Sequence, residues 1–156
     1  MKKLLILSAV LLLLAAGTAS AQSMNGIGLY GNLVGNGTGA GGGMGLSLRY
    51  GSFPVIGLEW NFMQHSSIIS GSLDAWLLNP SIADRLSYYI GIGAYAAVTP
   101  GNPPNVFNFG GRVPFGLQLF PVDTLEVFLE LSPMIIFVPA IDWTVSVRLG
   151  FRILYN

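Results

Sequence analysis

The chain of 156 residues is too poor in charge for an ordinary water-soluble domain. Hydrophobic residues make up 52% of it and charged residues 9%, whereas soluble domains are about one quarter charged. Its seven basic and seven acidic residues balance, so no basic surface for nucleic acid is expected. The absence of cysteine excludes disulfides, thiolate metal sites and a lipid anchor on cysteine.

The start of the chain has the layout of a secretory signal peptide. Two lysines precede an apolar run over 4–16, and the Ala-Ser-Ala of 19–21 is an A-x-A cleavage site. The apolar run is shorter than the roughly 20 residues that a membrane-spanning helix needs. We therefore expect 1–21 to be cleaved after Ala21 and 22–156 to form a single mature domain.

The remaining chain is strongly apolar and yet unsuited to long helices. It holds most of the 21 glycines and nine prolines of the sequence, and both residue types disfavour helix interiors. No apolar run after residue 21 approaches the length of a spanning helix. A lipid-soluble chain without helices must close its sheet, because every backbone polar group in a membrane has to be paired internally.

Period-two alternation of apolar and polar residues predicts the strands. In the last strand every second residue from Trp143 to Tyr155 is large and apolar, while two arginines lie between them. This is the pattern of a strand with lipid on one face and a polar lumen on the other. The same alternation predicts strands over 25–34, 41–50, 54–63, 67–78, 86–98, 106–120, 124–137 and 142–155.

The predicted fold is therefore all-β: a closed, antiparallel, up-and-down transmembrane β-barrel of eight strands. Pro114 and Pro133 fall inside strands and predict bulges or local breaks in pairing. The strand at 67–78 fits less well, because alternation puts Trp76 inside beside Asp74. The alternative fold is a soluble lipocalin-like barrel, which would have apolar residues inside and the charges outside.

Alternation also gathers charged side chains into one lumen network. Its predicted members are Arg49, Glu59, Asp74, Arg112, Glu126, Glu130, Arg148 and Arg152. A hairpin turn centred at Pro139 would place Glu126 opposite Arg152 and Glu130 opposite Arg148. Our hypothesis is that these pairs set the register of the closing hairpin, since a one-residue slip would break both. The alternative is that they merely fill the lumen.

Aromatic residues are expected in two girdles. An even-stranded outer-membrane barrel has both termini in the periplasm. The direction of each strand then assigns the outward aromatic residues near its ends to one of the two rims. The periplasmic girdle is Tyr50, Phe53, Tyr88 and Tyr155. The outer girdle is Trp60, Phe62, Phe107, Phe109, Phe137 and Trp143.

Glycines on the inward face are compatible with either a filled lumen or a water-filled one. They are Gly45, Gly57, Gly91, Gly93, Gly110, Gly116 and Gly150. They either make room for Tyr89, Tyr95 and the arginines or line a narrow water-filled path. The lumen of an eight-stranded barrel is about wide enough for side chains to fill it, which favours the first.

Two motifs invite an enzymatic interpretation that their surroundings do not support. His65 stands beside Ser66 and Ser67, but a nucleophile site also needs an orienting acid, and a lone histidine is too few ligands for a metal. The glycines of 37–42 match a dinucleotide fingerprint by letter, but no helix pattern follows. We expect no catalytic, cofactor-binding or metal-binding residues.

The mature chain resembles the transmembrane domain of OmpA- and OmpX-type eight-stranded barrels across its whole length. The alternating strands, girdles and interior charges carry this resemblance, and no sequence motif does. The segments GMGLSLRYGSFPVIGLEWNF, RVPFGLQLFP and LEVFLELSP also resemble a family of small spirochaete outer-membrane barrels. With Asn156 as its last residue, we expect the chain to lack a peptidoglycan-binding domain, and its final aromatic is Tyr155, one place earlier than is usual.

The resemblance implies an integral protein of the bacterial outer membrane with both termini in the periplasm. Our leading interpretation of its role is structural, with a side-chain-filled lumen and no catalysis. The alternatives are a narrow pore for ions or small solutes, or a surface adhesin. Expected partners are outer-membrane lipids and, during biogenesis, the barrel-assembly machinery and periplasmic chaperones, with no nucleic acid and the oligomeric state open.

Overall fold

A computed structural model describes residues 24–36, 39–63, 66–101 and 106–155. The predicted signal peptide and its cleavage site lie outside these ranges. The regular secondary structure of the described residues consists of β-strands. No helix long and apolar enough to cross a membrane is found among them.

Ten hydrogen-bonded strands build one sheet. They are β1 Asn25–Asn36, β2 Gly39–Tyr50, β3 Val55–Met63, β4 Ser66–Leu78, β5 Ser81–Ala83, β6 Leu86–Thr99, β7 Val106–Arg112, β8 Phe115–Val122, β9 Leu125–Val138 and β10 Asp142–Tyr155. β5 is a short extra strand that pairs only with β6. β7 and β8 both pair with β6 and with β9, so they form one barrel strand in two parts.

The sheet closes on itself. β1 is antiparallel to β2 on one side and to β10 on the other, so Asn25 lies opposite both Tyr50 and Tyr155. Every neighbouring pair is antiparallel, and the barrel has no free edge. The predicted closed antiparallel β-barrel of eight strands is confirmed.

The two in-strand prolines share a single irregularity. Pro114 separates β7 from β8, as predicted, but the pairing with β6 resumes in the same register on either side. Pro133 lies within β9 opposite Val145, without a register shift against β10. The predicted break in pairing is present on the other side of Pro133, where the ladder stops at Arg112–Met134 and resumes at Phe115–Leu131, and no bulge is found against β10. The carbonyl of Pro133 accepts a hydrogen bond from Val113 N at 3.1 Å, so the missing N–H of this proline faces the interruption between β7 and β8.

Burial alternates along the strands and separates a polar inside from an apolar outside. In β9 the buried residues include Glu126 and Glu130, while Leu129, Leu131 and Ile135 between and beyond them are exposed. Trp76 is buried beside Asp74. The lipocalin-like alternative is wrong, because the charges are enclosed and large apolar side chains form the perimeter.

The two ends of the barrel are distinct. The terminal end holds Asn25 and Tyr155 and the connections 51–54, 79–85 and 123–124. The opposite end, called the loop end below, holds the connection 139–141 and the described ends of the other hairpins. Both ends of the described chain therefore lie at the same end of the barrel.

Candidate functional site: the filled lumen

Glu126 organises the part of the lumen nearest the terminal end. Its carboxylate accepts hydrogen bonds from Arg49 Nη1 at 2.9 Å and from Gln118 Nε2 at 2.8 Å, and it is also ion-paired with Arg152. All four side chains are at most 2% exposed. One fully buried acid is thus ion-paired with two arginines, one from β2 and one from β10.

The two arginines of this layer also stack on aromatic rings. Trp76 and Tyr89 are stacked with ring centroids 4.0 Å apart. The guanidinium carbon of Arg49 lies 4.6 Å from the centroid of the Trp76 ring, and that of Arg152 lies 3.8 Å from the Phe128 ring. Cation–π contacts of this kind are worth about 0.5–2 kcal/mol, so the rings help to replace the water that the arginines give up.

Glu130 is the centre of the next layer. Arg148 Nη1 donates to it at 3.1 Å and the Tyr89 hydroxyl at 2.6 Å, and it is ion-paired with Arg112. Arg112 Nε also lies 3.3 Å from a carboxylate oxygen of Asp74. This layer joins β4, β6, β7, β9 and β10 across the lumen.

Glu59 completes this layer on the other side of the barrel. It is ion-paired with Arg148 and accepts hydrogen bonds from the Tyr30 hydroxyl at 3.1 Å and Asn32 Nδ2 at 2.7 Å. Asn61 donates to the same carboxylate at 3.2 Å. Arg148 therefore bridges Glu59 and Glu130, two acids carried by opposite walls.

An apolar cluster lies inside the barrel toward the loop end. It is formed by Tyr95, Ala97, Met134 and Ile136, with Val34 and Ile68 packed against it. We call this cluster the cap. Its four central members are at most 8% exposed, so the charged layers are covered on that side.

Some of the inward glycines accommodate tyrosine side chains, whereas Gly91, Gly93 and Gly110 lie close to backbone or other side chains. A Cβ at Gly116 would lie 2.1 Å from the Tyr89 ring, and a Cβ at Gly45 would lie 2.4 Å from the Tyr30 ring. Both distances are far inside van der Waals contact, so only glycine leaves room for the rings. The sequence interpretation anticipated this for Tyr89 but missed Tyr30, although Tyr30 is inward by alternation and directly opposite Gly45.

The structure brings together all eight charges of the predicted lumen network. Each is buried and belongs to at least one ion pair. The closing hairpin has the predicted register, with Glu126 opposite Arg152 and Glu130 opposite Arg148, and both pairs are ion pairs. The contacts that sequence reasoning missed run across the lumen, such as Arg49 to Glu126 and Arg112 to Asp74.

The predicted girdle residues lie on the outer surface near the two ends. Toward the terminal end, Tyr50, Phe53 and Tyr155 are exposed and Tyr88 is half-buried. Toward the loop end the exposed aromatics are Trp60, Phe62, Phe107, Phe109, Phe137 and Trp143. Both groups point away from the lumen.

Of the enzymatic decoys, His65 lies outside the described residues, as do two residues of the glycine-rich segment at 37–42. Ser66 opens β4 and is exposed. Within the described ranges no cluster of three or more histidine, cysteine, aspartate or glutamate residues could hold a metal ion.

Three solved structures share this fold. The attachment invasion locus protein (Ail) of Yersinia pestis is 16% identical, with a TM-score of 0.56 over 85% of this chain and 97% of that one. Neisserial surface protein A is 9% identical, with a TM-score of 0.55 over 85% and 96%. The N-terminal β-barrel domain of Pseudomonas aeruginosa OprF is 12% identical, with a TM-score of 0.51 over 85% and 99%.

These three proteins are small outer-membrane barrels of eight strands. At such low identities the likeness shows the fold alone. None of the three comes from a spirochaete, so the narrower resemblance to spirochaete barrels stays a prediction. No protein-family model and no curated protein sequence matches the chain.

Proposed function

We propose that this protein is an integral outer-membrane β-barrel with a side-chain-filled lumen and a structural, non-catalytic role. The observation that carries the proposal is the inverted polarity of the barrel. On β10 the outward-facing residues from Trp143 to Tyr155 are all apolar or aromatic, while Arg148 and Arg152 are enclosed. Such a surface suits lipid, because a charged residue on the lipid face would cost about 2–4 kcal/mol at mid-bilayer. In water it would expose a far larger apolar area than soluble proteins do.

The height of the apolar surface matches a bilayer of this kind. On β9 the outward row runs from Leu125 to Phe137 without a polar side chain. A row of this length, tilted about 40° as barrel strands are, rises about 30 Å. This is enough for the apolar band of about 25 Å that an outer-membrane barrel presents.

The burial of the charged layers supports a closed lumen. A continuous water-filled path would leave the groups that line it accessible to water. Glu126, Glu130 and Arg112 are instead at most 2% exposed, and they are joined by ion pairs that cross the lumen.

The proposal includes the route to the membrane. The signal peptide would deliver the chain to the periplasm, where chaperones and the barrel-assembly machinery are the proposed partners. Tyr155 is exposed on the last strand, and its aromatic ring is the proposed element of recognition by that machinery. With both ends of the barrel chain at the terminal end, this end would face the periplasm.

Reconstitution tests the proposal directly. The purified mature protein should refold only with detergent or lipid, and its unboiled form should migrate faster than its boiled form on a denaturing gel. In planar bilayers the folded protein should give no steady current. Folding in plain buffer would contradict the membrane assignment, whereas a steady current from folded protein would favour the narrow-pore alternative.

A surface adhesin is the second candidate, and the structural likeness to the attachment invasion locus protein favours it. On the proposed outer side the β9–β10 connection is only three residues long, 139–141, which leaves little loop surface there for a host ligand. Cells that display the protein should therefore bind host matrix no better than cells without it. Increased binding would support the adhesin.

A further inference from the structure

The surface of the loop end is apolar on one side of the barrel. Phe109, Phe137, Val138, Ile141 and Trp143 lie together there, on β7, β9, β10 and the 139–141 connection. We call them the crest. Val138 is directly opposite Phe109 in the sheet. Ile141 is 83% exposed, the largest fraction among the large hydrophobic side chains of the described residues.

The crest continues the lipid-facing surface without interruption. On β9, Ile135 and Leu131 lie below Phe137, and on β10, Val145 and Val147 lie below Trp143. Trp143 and Ile135 are opposite each other in the ladder. No polar side chain separates the crest from the apolar belt on these two outward rows.

The one charged residue of this hairpin tip is turned away from the crest. Asp142 Oδ2 accepts a hydrogen bond from Asn36 Nδ2 at 3.3 Å, and Oδ1 accepts one from Trp143 N at 2.8 Å. Asn36 ends β1, so this carboxylate is directed toward the next strand of the closing seam. The connection itself, 139–141, contains only proline, alanine and isoleucine.

Other described residues at the hairpin tips of the loop end have smaller or more polar side chains. Gly39 and Ala40 begin β2, Ser66 begins β4, and Pro100 and Gly101 follow β6, all of them exposed. These residues are small or polar. Trp60 and Phe62 near the end of β3 are also exposed. Among the described residues between strands at this end, however, Ile141 is the only large apolar one, which distinguishes the β9–β10 tip from a tip that simply faces water.

We infer that the β9–β10 tip over 138–141 inserts into the lipid of the outer leaflet and anchors this side of the barrel. Continuity with the apolar belt identifies lipid as the occupant, rather than a protein partner or a second copy. The inference rests on the proposed function, because it takes the belt below the crest to be embedded in a bilayer.

Tryptophan fluorescence in lipid vesicles tests this inference. The parent variant is Trp60→Phe with Trp143→Phe, which retains only Trp76 inside the lumen. Ile141→Trp is added to this parent to report on the tip. The matched control adds Gly39→Trp, at a loop-end position where a Cβ would meet no atom within 4 Å. All variants are checked for the faster-migrating folded band.

Phosphatidylcholine with brominated acyl chains should quench the fluorescence that Ile141→Trp adds to the parent. The quenching should be as strong as that of native Trp143 in a Trp60→Phe variant. Aqueous acrylamide should quench the Gly39→Trp control far more than the Ile141→Trp variant.

Equal access of acrylamide to the two introduced tryptophans would overturn the inference. Equal quenching of both by bromines would overturn it as well, since a tryptophan would then insert at any tip. Failure of bromines to quench native Trp60 and Trp143 would instead refute the proposed function.

Discussion

Glu126 is ion-paired with two arginines at once, so its charge should control the stability of the lumen near the terminal end. Glu126→Gln keeps the size of the side chain but leaves Arg49 and Arg152 without their shared acid. Removing one partner of a buried ion pair costs about 3–5 kcal/mol. We expect a loss of this size in the free energy of unfolding, measured by urea titration in lipid vesicles.

The matched control is Asp123→Asn, which removes an acid from an exposed turn at the same end of the barrel. Surface substitutions of this kind change stability by roughly 0.5 kcal/mol or less. Similar losses in the two variants would show that the enclosed pairs are not what stabilises this layer.

Gly116 lies against the ring of Tyr89, which is held in place by two contacts. Tyr89 stacks on Trp76 and donates to Glu130 at 2.6 Å, and a Cβ at Gly116 would lie 2.1 Å from its ring. Overpacking of this kind costs about 1–3 kcal/mol. Gly116→Ala should therefore lower the temperature at which the faster-migrating folded band is lost.

Gly31→Ala provides the comparison, because Gly31 faces outward and a Cβ there would meet only Leu149 O at 4.0 Å. Alanine is favoured over glycine in a strand interior by about 0.5–1 kcal/mol, so this variant should be as stable as the wild type or slightly more so. Equal destabilisation by both substitutions would argue against the packing explanation.

At the scale of strands, the closing hairpin has a register that can be measured in the membrane. Leu129 and Leu149 are directly opposite on the lipid face of β9 and β10. The chain has no native cysteine, so a pair introduced as Leu129→Cys with Leu149→Cys reports on this contact alone. Directly opposite residues have Cα atoms about 4.5–5.5 Å apart, which suits a disulfide.

We expect this pair to be cross-linked by mild oxidation of the folded protein, as seen by gel mobility with and without reductant. The control pair, Leu129→Cys with Val147→Cys, is displaced by two residues along β10 and should react much less. Preferential cross-linking of the control pair would mean that the hairpin has slipped.

Strands and their inward faces were predictable because lipid and lumen impose opposite polarities on alternate residues. The contribution of the prolines was only partly predictable. Pro114 interrupts its strand, and the break in pairing beside Pro133 is that same interruption, so β9 keeps an unbroken register against β10. Periodicity describes one strand at a time. The coincidence of Pro133 with the interruption at Pro114 depends instead on which residues of two neighbouring strands are opposite each other.

Contacts across the lumen were beyond the reach of the sequence for a related reason. The register of an antiparallel hairpin predicts which residues of two adjacent strands are opposite each other, as it does for Glu126 and Arg152. Arg112 and Asp74 lie on β7 and β4, which are separated by β6. Their meeting depends on strand tilt and on the stagger accumulated around the barrel, which single-strand patterns do not contain.

At the scale of the whole barrel, two kinds of closure lie in series along the lumen. In the proposed function the cap would exclude water by apolar packing near the loop end, and the layers of paired charges around Glu130 and Glu126 would fill the remainder. An ion would have to pass both. Opening one of them should therefore leave the current blocked.

Met134→Ala tests this reasoning, because it removes most of a side chain that is 3% exposed in the cap. Met134 is directly opposite Arg112, but the substitution removes no charged group. We expect the folded variant to give no steady current in planar bilayers, like the wild type, while losing about 2–5 kcal/mol of stability as buried methionines do on truncation. A current from Met134→Ala alone would mean that the charged layers are permeable and that the cap is the sole barrier. The lumen would then be a pore held shut at its loop end, because paired charges would present a wetted path once the apolar side chains above them are cut back.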